Sequence, residues 1–314
     1  MFAVALLCGC FQPDNGFSSG ARFRNGGRYF GLRPVLSPDG KCIVFSAATK
    51  STPGGLFKVF VDKGVTSPIS TTSYYQGQAD VSPDGQTIVF VSEQFGLPAI
   101  WLCNIDGTNS RRVTQSDYAE TSPVFSADGN KIAFVRRLTK NPEDRTRDEL
   151  FVVNSDGTSE RRVTNDNFTD YPVRFSGDGK SLYSVSSKII RNGVSSASNR
   201  MNLFKTTIDD MACSLTLALR LQGPECDISM DEQNVVFVDD TNTPHQSDIY
   251  SCKIDGSQKK RLTNLNGYIG SVRFGFHVSD FVFVEEPKRD GFGTIYLFDL
   301  LMSTEKKVDV ISAP

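Results

Sequence analysis

Short apolar runs recur along the chain, and each follows a tight polar turn. The clearest example is S-P-D-G at 82–85, followed by I-V-F-V at 88–91. Proline presets the φ angle of such a turn, aspartate can accept hydrogen bonds from the nearby backbone, and glycine adopts the left-handed conformation that closes a hairpin. A continuous run of β-branched and aromatic residues is typical of a strand buried on both faces. The stretch therefore predicts two strands joined by a tight turn.

Two more strands complete the same unit. The run A-I-W-L-C-N at 99–104 predicts a third strand, and D-G at 106–107 is a second hairpin signal. The run R-R-V-T at 111–114 is more polar, which suits an outer edge. The unit thus contains four strands.

The four-strand unit occurs six times, with its first turns starting at 37, 82, 126, 176, 229 and 275. The last two copies have lost the turn signature but keep the apolar run. A period in the forties with four strands per unit is typical of a β-propeller. A β-sandwich with chance similarity is disfavoured, because six paired signals stay in register. We predict an all-β fold: a six-bladed β-propeller with four antiparallel strands per blade, spanning 33–314. The last copy carries its own fourth strand, so we expect blade six to pack on blade one without strand exchange.

Composition narrows the possible chemistry. The net charge is −2 and the paired basic residues are spread over separate blades, so we expect no nucleic-acid partner. No apolar run reaches 18 residues, which predicts no transmembrane helix. The seven cysteines contain no C-x-x-C pair, so a zinc site is not supported. We expect no cofactor, no metal and a monomer.

The first residues are a candidate export signal. The sequence L-C-G-C at 7–10 resembles the lipobox of bacterial lipoproteins, although no basic segment precedes it. We interpret 1–10 as a lipoprotein signal segment with Cys10 as the lipidated residue, and the Gly- and Ser-rich 11–32 as a tether. This predicts a periplasmic or outer-membrane-anchored bacterial protein that meets the membrane only through the lipid. The alternatives are an apolar start without a role, or a chain that belongs to a longer protein.

The links between blades approach the central channel, and they repeat aromatic and polar residues at fixed distances before each turn. We predict a ligand-binding channel mouth formed by Tyr74, Gln76, Asp117, Tyr118, Glu120, Asp166, Phe168 and Asp170. The alternative is structural: the aromatic residues pack between neighbouring blades, and the carboxylates satisfy loop amides. A G-x-S-x-G match at 16–20 lacks the flanking strand and helix that a catalytic serine elbow requires.

The S-P-D-G turns, the I-W and L-F strands and the D-G-T…R-R-V-T endings resemble the TolB-type propeller repeat, which is also similar to the propellers of Tricorn and prolyl oligopeptidase-like proteases. In TolB proteins an α/β domain precedes the propeller, and the propeller mouth receives a segment of a peptidoglycan-associated lipoprotein. The resemblance implies a non-catalytic scaffold that binds an envelope protein or peptide. The alternative is a propeller enzyme, either associated with a peptidase or similar to the oligogalacturonate lyases with their histidine-bound metal. The only histidines, His245 and His277, lie in the two degenerate blades.

Overall fold

The structure is a computed structural model, and it describes residues 20–22, 28–30, 33–47, 54–141, 147–166, 168–191, 194–209, 213–221, 225–240, 246–265, 268–277, 279–286, 294–300, 304–308 and 311–312. Every regular element in these ranges is a β-strand. Since the described part of the chain contains no helix, it also holds none that could cross a membrane. The predicted all-β class is confirmed.

Six sheets form the six predicted blades, and the four strands of each blade are antiparallel and follow one another in chain order. The strands of blades one to three are β3 (Val35–Leu36), β4 (Cys42–Ala47), β5 (Gly55–Phe60) and β6 (Val65–Thr71); β7 (Gln76–Val81), β8 (Thr87–Ser92), β9 (Ala99–Asn104) and β10 (Arg111–Arg112); and β11 (Glu120–Phe125), β12 (Lys131–Arg137), β13 (Asp148–Asn154) and β14 (Arg161–Arg162).

Blades four to six repeat this arrangement, although their strands are less uniform in length. Their strands are β15 (Asp170–Phe175), β16 (Ser181–Arg191), β17 (Val194–Thr207) and β18 (Cys213–Leu221); β19 (Cys226–Ile228), β20 (Asn234–Asp240), β21 (Ser247–Lys253) and β22 (Lys260–Arg261); and β23 (Tyr268–Phe274), β24 (Asp280–Glu286), β25 (Thr294–Asp299) and β26 (Thr304–Val308). Three short strands lie outside this pattern: β1 (Gly20–Arg22), β2 (Arg28–Phe30) and β27 (Ile311–Ser312).

The repeated first turn works as its sequence predicts. In blade two the hydroxyl of Ser82 donates to Asp84 at 2.6 Å, and Asp84 accepts the backbone N–H of Gln86 at 3.0 Å. These two hydrogen bonds lower the pKa of Asp84. Gly85 has a φ of +71°, a conformation that favours glycine. Because each serine also accepts the N–H that begins the next strand, the turn fixes the first hairpin of its blade.

Apolar clusters between neighbouring blades hold the ring together. The second strands of all six blades are buried on both faces, and their side chains pack against the blades on either side. The ring closes through a cluster that joins Leu36, Ile43 and Phe45 of blade one to Val282 and Val284 of blade six. The predicted packing of blade six on blade one is therefore confirmed.

The prediction that no strand is exchanged was wrong. The C-terminal strand β27 pairs in parallel with β6 and becomes a fifth strand of blade one, with Ile311 opposite Val65 and Ser312 opposite Thr66. The outermost strand of a blade leaves backbone groups without partners, and a passing segment can satisfy them. Within the segment predicted as a tether, β1 and β2 pair with each other.

Candidate functional site

Because neighbouring strands of a blade run in opposite directions, the connections between them lie alternately at the two ends of the propeller channel. The turns that start at 37, 82, 126 and 176 all lie at one end, which we call the turn mouth. The links between blades, at 72–75, 115–119 and 165–169, lie at the other end, which we call the loop mouth. Every residue of the predicted binding site lies in these links or at the beginning of an inner strand.

Charged side chains cross the channel near the turn mouth. Arg273 of blade six reaches Asp80 of blade two at 3.3 Å and Asp227 of blade five at 3.6 Å. Arg174 of blade four binds Asp227 at 2.9 Å. These four residues, Asp80, Arg174, Asp227 and Arg273, form what we call the channel bar. The cavity beside it measures about 30 Å³, which is little more than the volume of one water molecule.

The channel bar also joins neighbouring inner strands through their backbone. Asp80 accepts the N–H of Phe125 at 2.8 Å, and Asp227 accepts the N–H of Phe274 at 2.9 Å. Burial raises the pKa of Asp80, and Arg273 opposes that effect. The sequence analysis missed this cluster, although it carried a signal. Each member lies two residues before the first turn of its blade. From blade one to blade six, the residues at this position are V, D, V, R, D and R.

At the loop mouth, Glu120 is part of the blade framework. It is fully buried, it accepts the hydroxyl of Thr114, and its Oε1 pairs with Arg136 at 2.5 Å. Arg136 also pairs with Glu160 and lies 4.4 Å over the ring of Phe151. Burial raises the pKa of Glu120, while Thr114 and Arg136 stabilise its charged form. These contacts match the structural alternative for this residue.

Asp166 and Asp170 come together at the next junction, and Glu149 joins them. One carboxylate oxygen of each lies within 4.8 Å of the other two. Asp166 binds Lys188 at 2.9 Å, and Glu149 binds Arg162 at 2.8 Å. Burial and the neighbouring Asp166 raise the pKa of Asp170 to about 7. Glu149 was absent from the predicted site because its only distinguishing feature in the sequence is its position before an apolar strand.

The other predicted residues differ in exposure. Tyr74, Tyr118 and Phe168 are half-buried residues at the loop mouth. Asp117 is exposed, whereas Gln76 is only 3% exposed. The three aromatic residues are therefore more accessible from the surface than Gln76 is. Cys10, the predicted lipidation site, lies outside the described residues.

Comparison with known proteins identifies the repeat. The family described as the TolB beta propeller domain matches residues 26–145. A TolB homolog from Chlorobium luteolum is 34% identical over 120 residues, which are 37% of this chain and 26% of that protein. The chain is a six-bladed β-propeller whose residues 26–145 are similar to the TolB propeller domain. It spans about a quarter to a third of the length of the first curated relatives that it matches.

Solved structures share the fold of this TolB-like propeller at low sequence identity. A putative TolB from Agrobacterium tumefaciens has a TM-score of 0.62 and 18% identity, covering 79% of this chain and 85% of that one. An oligogalacturonate lyase in complex with manganese has a TM-score of 0.57 and 14% identity, covering 88% and 75%. Because binding proteins and enzymes share this architecture, the fold alone does not assign a function.

Proposed function

We propose that this TolB-like propeller is a non-catalytic scaffold of the bacterial cell envelope that binds a protein or peptide at its loop mouth. The observation that carries the proposal is the difference between the two mouths. The channel bar crosses the turn mouth, whereas Tyr74, Tyr118 and Phe168 present half-buried rings at equivalent positions of the loop mouth. Partly exposed aromatic rings are common anchors in protein interfaces, because they bury a large area with little loss of side-chain freedom.

Charge at the loop mouth favours a partner with basic groups. Asp117 is exposed and Asp166 is half-buried, so both carboxylates lie within reach of a bound segment. Phe95 and Leu97, which are 68% and 49% exposed, lie in the loop between β8 and β9 at the same end. An extended segment that alternates apolar and basic side chains would complement this surface. Similarity to TolB supports an envelope location, and we propose a periplasmic protein that is anchored through Cys10.

Site-specific photo-crosslinking tests the proposal. A photoreactive amino acid replaces Asp117 at the loop mouth in one variant and Asp106 at the turn mouth in the other. Both positions are exposed. Because Asp106 accepts two hydrogen bonds from Thr108 within its turn, calorimetry first checks that this variant is folded. We expect a discrete adduct from envelope extract at position 117 and none at position 106. The same adduct from both positions, or from position 106 alone, would contradict binding at the loop mouth.

The alternative is a propeller enzyme with its site in the channel, as the similarity to the lyase allows. Among the residues that the structure describes, His277 is the one histidine. It lies between β23 and β24, at the opposite end of the inner strands from Asp166 and Asp170. These groups therefore do not form one site. Release of reducing ends from oligogalacturonate by the purified protein, with manganese added, would favour the enzyme.

A further inference from the structure

Three carboxylates from two blades meet where blade three passes to blade four. Glu149 lies at the beginning of β13, Asp166 lies in the link, and Asp170 begins β15. Their oxygens lie within 4.8 Å of one another, and Glu149 and Asp170 are each only 1% exposed. Carboxylates held this close disfavour one another's charged form unless a cation compensates. The equivalent junctions between other blades show how many of these carboxylates the fold needs.

The junction between blades five and six needs a single carboxylate. Asp248, the equivalent of Glu149, accepts the hydroxyl of Thr263 and the N–H of Leu265, both at 3.0 Å. Ile269, which is fully buried, occupies the position of Asp170. An apolar residue is therefore sufficient there, and one carboxylate holds the link in place.

The junction between blades two and three also has one carboxylate. Glu120 takes the position of Asp170 and accepts the hydroxyl of Thr114, while Ala99 takes the position of Glu149. Of these three junctions, the one between blades three and four alone has a carboxylate at both positions, and Asp166 adds a third. Asp166 has a local role in the fold, because it accepts the N–H of Phe168 at 3.0 Å. With Glu149 present, the carboxylate that the other two junctions do not require is Asp170.

Glu149 already performs the task that the other junctions assign to one carboxylate. It accepts the hydroxyl of Thr164 at 2.7 Å and the N–H of Asp166 at 3.1 Å. The Oδ2 atom of Asp170 has no hydrogen-bond partner among the described residues. A buried carboxylate oxygen without a partner is costly, and a bound ligand is one way to satisfy it. Asp170 therefore offers an oxygen that the protein itself does not use.

Basic side chains balance part of the negative charge of the cluster. Lys188 pairs with Asp166, Arg162 pairs with Glu149, and Arg147 lines the depression beside them, whereas Asp170 takes part in neither of these pairs. A depression of about 260 Å³ opens beside the cluster, lined by Glu149 and Asp166 among others. It brings solvent to Glu149 and Asp166, so water can complete the coordination of an ion bound there.

We propose that Glu149, Asp166 and Asp170 bind one hard divalent cation, with Ca²⁺ as the best match, between blades three and four. Ca²⁺ takes about six to eight oxygen ligands in flexible geometry, which suits three carboxylates supplemented by water. Zn²⁺ prefers nitrogen and sulfur ligands, and this cluster offers oxygen only. The ion would link β13 of blade three to β15 of blade four.

Calorimetry on the chelator-treated full chain tests this proposal in the absence of any partner, so its result is independent of the proposed function. We expect one Ca²⁺ per chain with a Kd of about 0.1–1 mM, the range of extracellular calcium modules. Saturation at about 10 mM Ca²⁺ should raise Tm by about 2–4 °C, because the ion binds the folded chain only. Absence of binding heat and of a Tm shift at that concentration would overturn the proposal.

Variants locate the ion. Asp170→Asn keeps the shape of the side chain and removes its charge, so it should retain the fold and weaken Ca²⁺ binding at least tenfold. Asp166→Asn, at a half-buried position, provides a second variant with the same expected loss. Asp117→Asn removes an exposed carboxylate of the same mouth and should bind Ca²⁺ as the wild type does. Equal affinity in all three variants would overturn the assignment. A cluster that binds an oligolysine peptide but no Ca²⁺ would instead accept the basic group of a partner.

Discussion

Removing Arg174 should reveal the contribution of the channel bar to stability. Asp227 is fully buried, and its charge is held by Arg174 at 2.9 Å, by Arg273 at 3.6 Å and by the N–H of Phe274. The substitution Arg174→Met keeps most of the side-chain volume and removes the closest positive charge. Asp227 would then remain buried, with the more distant Arg273 as its remaining ion-pair partner.

Breaking a buried ion pair by removing one partner costs about 3–5 kcal/mol, because the remaining charge is left uncompensated. Since Arg273 stays within reach of Asp227, we expect the lower end, about 3 kcal/mol. The unfolding entropy is about 2.1 cal/mol/K per residue, which gives about 0.65 kcal/mol/K for 314 residues. Differential scanning calorimetry should therefore show a fall in Tm of about 5 °C.

Two further variants make the measurement decisive. Lys41→Met breaks a pair with Asp39 in which both side chains are largely exposed, at 77% and 54%, and it should leave Tm unchanged. The double variant Arg174→Met/Asp227→Asn should lose less than the sum of the two single losses, because the two side chains interact. A shift in Arg174→Met no larger than that of Lys41→Met would refute the reasoning.

Three other changes test the fold. The pKa of Asp84 is lowered in the folded state, so its ionised carboxylate stabilises the fold above the unfolded pKa, and this stabilisation is lost as the pH falls through the folded pKa. Asp84→Asn should therefore flatten the fall of Tm below about pH 4. Gly107→Ala should lower Tm much more than Gly40→Ala, because both glycines have a positive φ but only at Gly107 would the new Cβ overlap a carbonyl oxygen, that of Ile69. Removing 309–314 deletes the two residue pairs of β27, so Tm should fall by a few degrees while calorimetric unfolding stays cooperative.

The sequence was sufficient for the blades because their determinants are local. A turn such as 82–85 carries its own hydrogen bonds within five residues, and the apolar run after it is buried whichever blade lies beside it. The pairing of β27 with β6 could not be predicted in the same way. It joins two segments about 250 residues apart, Val65 with Ile311, and neither has a sequence pattern that specifies the other.

The candidate site was predicted less completely, because its residues depend on neighbouring blades. Glu120 and Asp170 occupy equivalent positions in the repeat, yet Glu120 pairs with Arg136 whereas Asp170 faces Ser186. The residue opposite on the neighbouring strand thus decides whether the carboxylate is a structural residue or a candidate ligand. The channel bar could not be predicted from the sequence for the same reason. Its four members lie in four blades, and only closure of the ring brings them together.

The channel bar also limits how a partner can enter. A polypeptide that approaches from the loop mouth meets Arg273 and Asp80 before it reaches the turn mouth, so the channel acts as a pit with a closed floor. A continuous chain cannot pass through such a pit, whereas a chain end or the tip of a loop can enter and be held. Asp80 and Arg273, whose side chains are only 11% and 12% exposed, would then limit how many residues of a partner the propeller can accommodate.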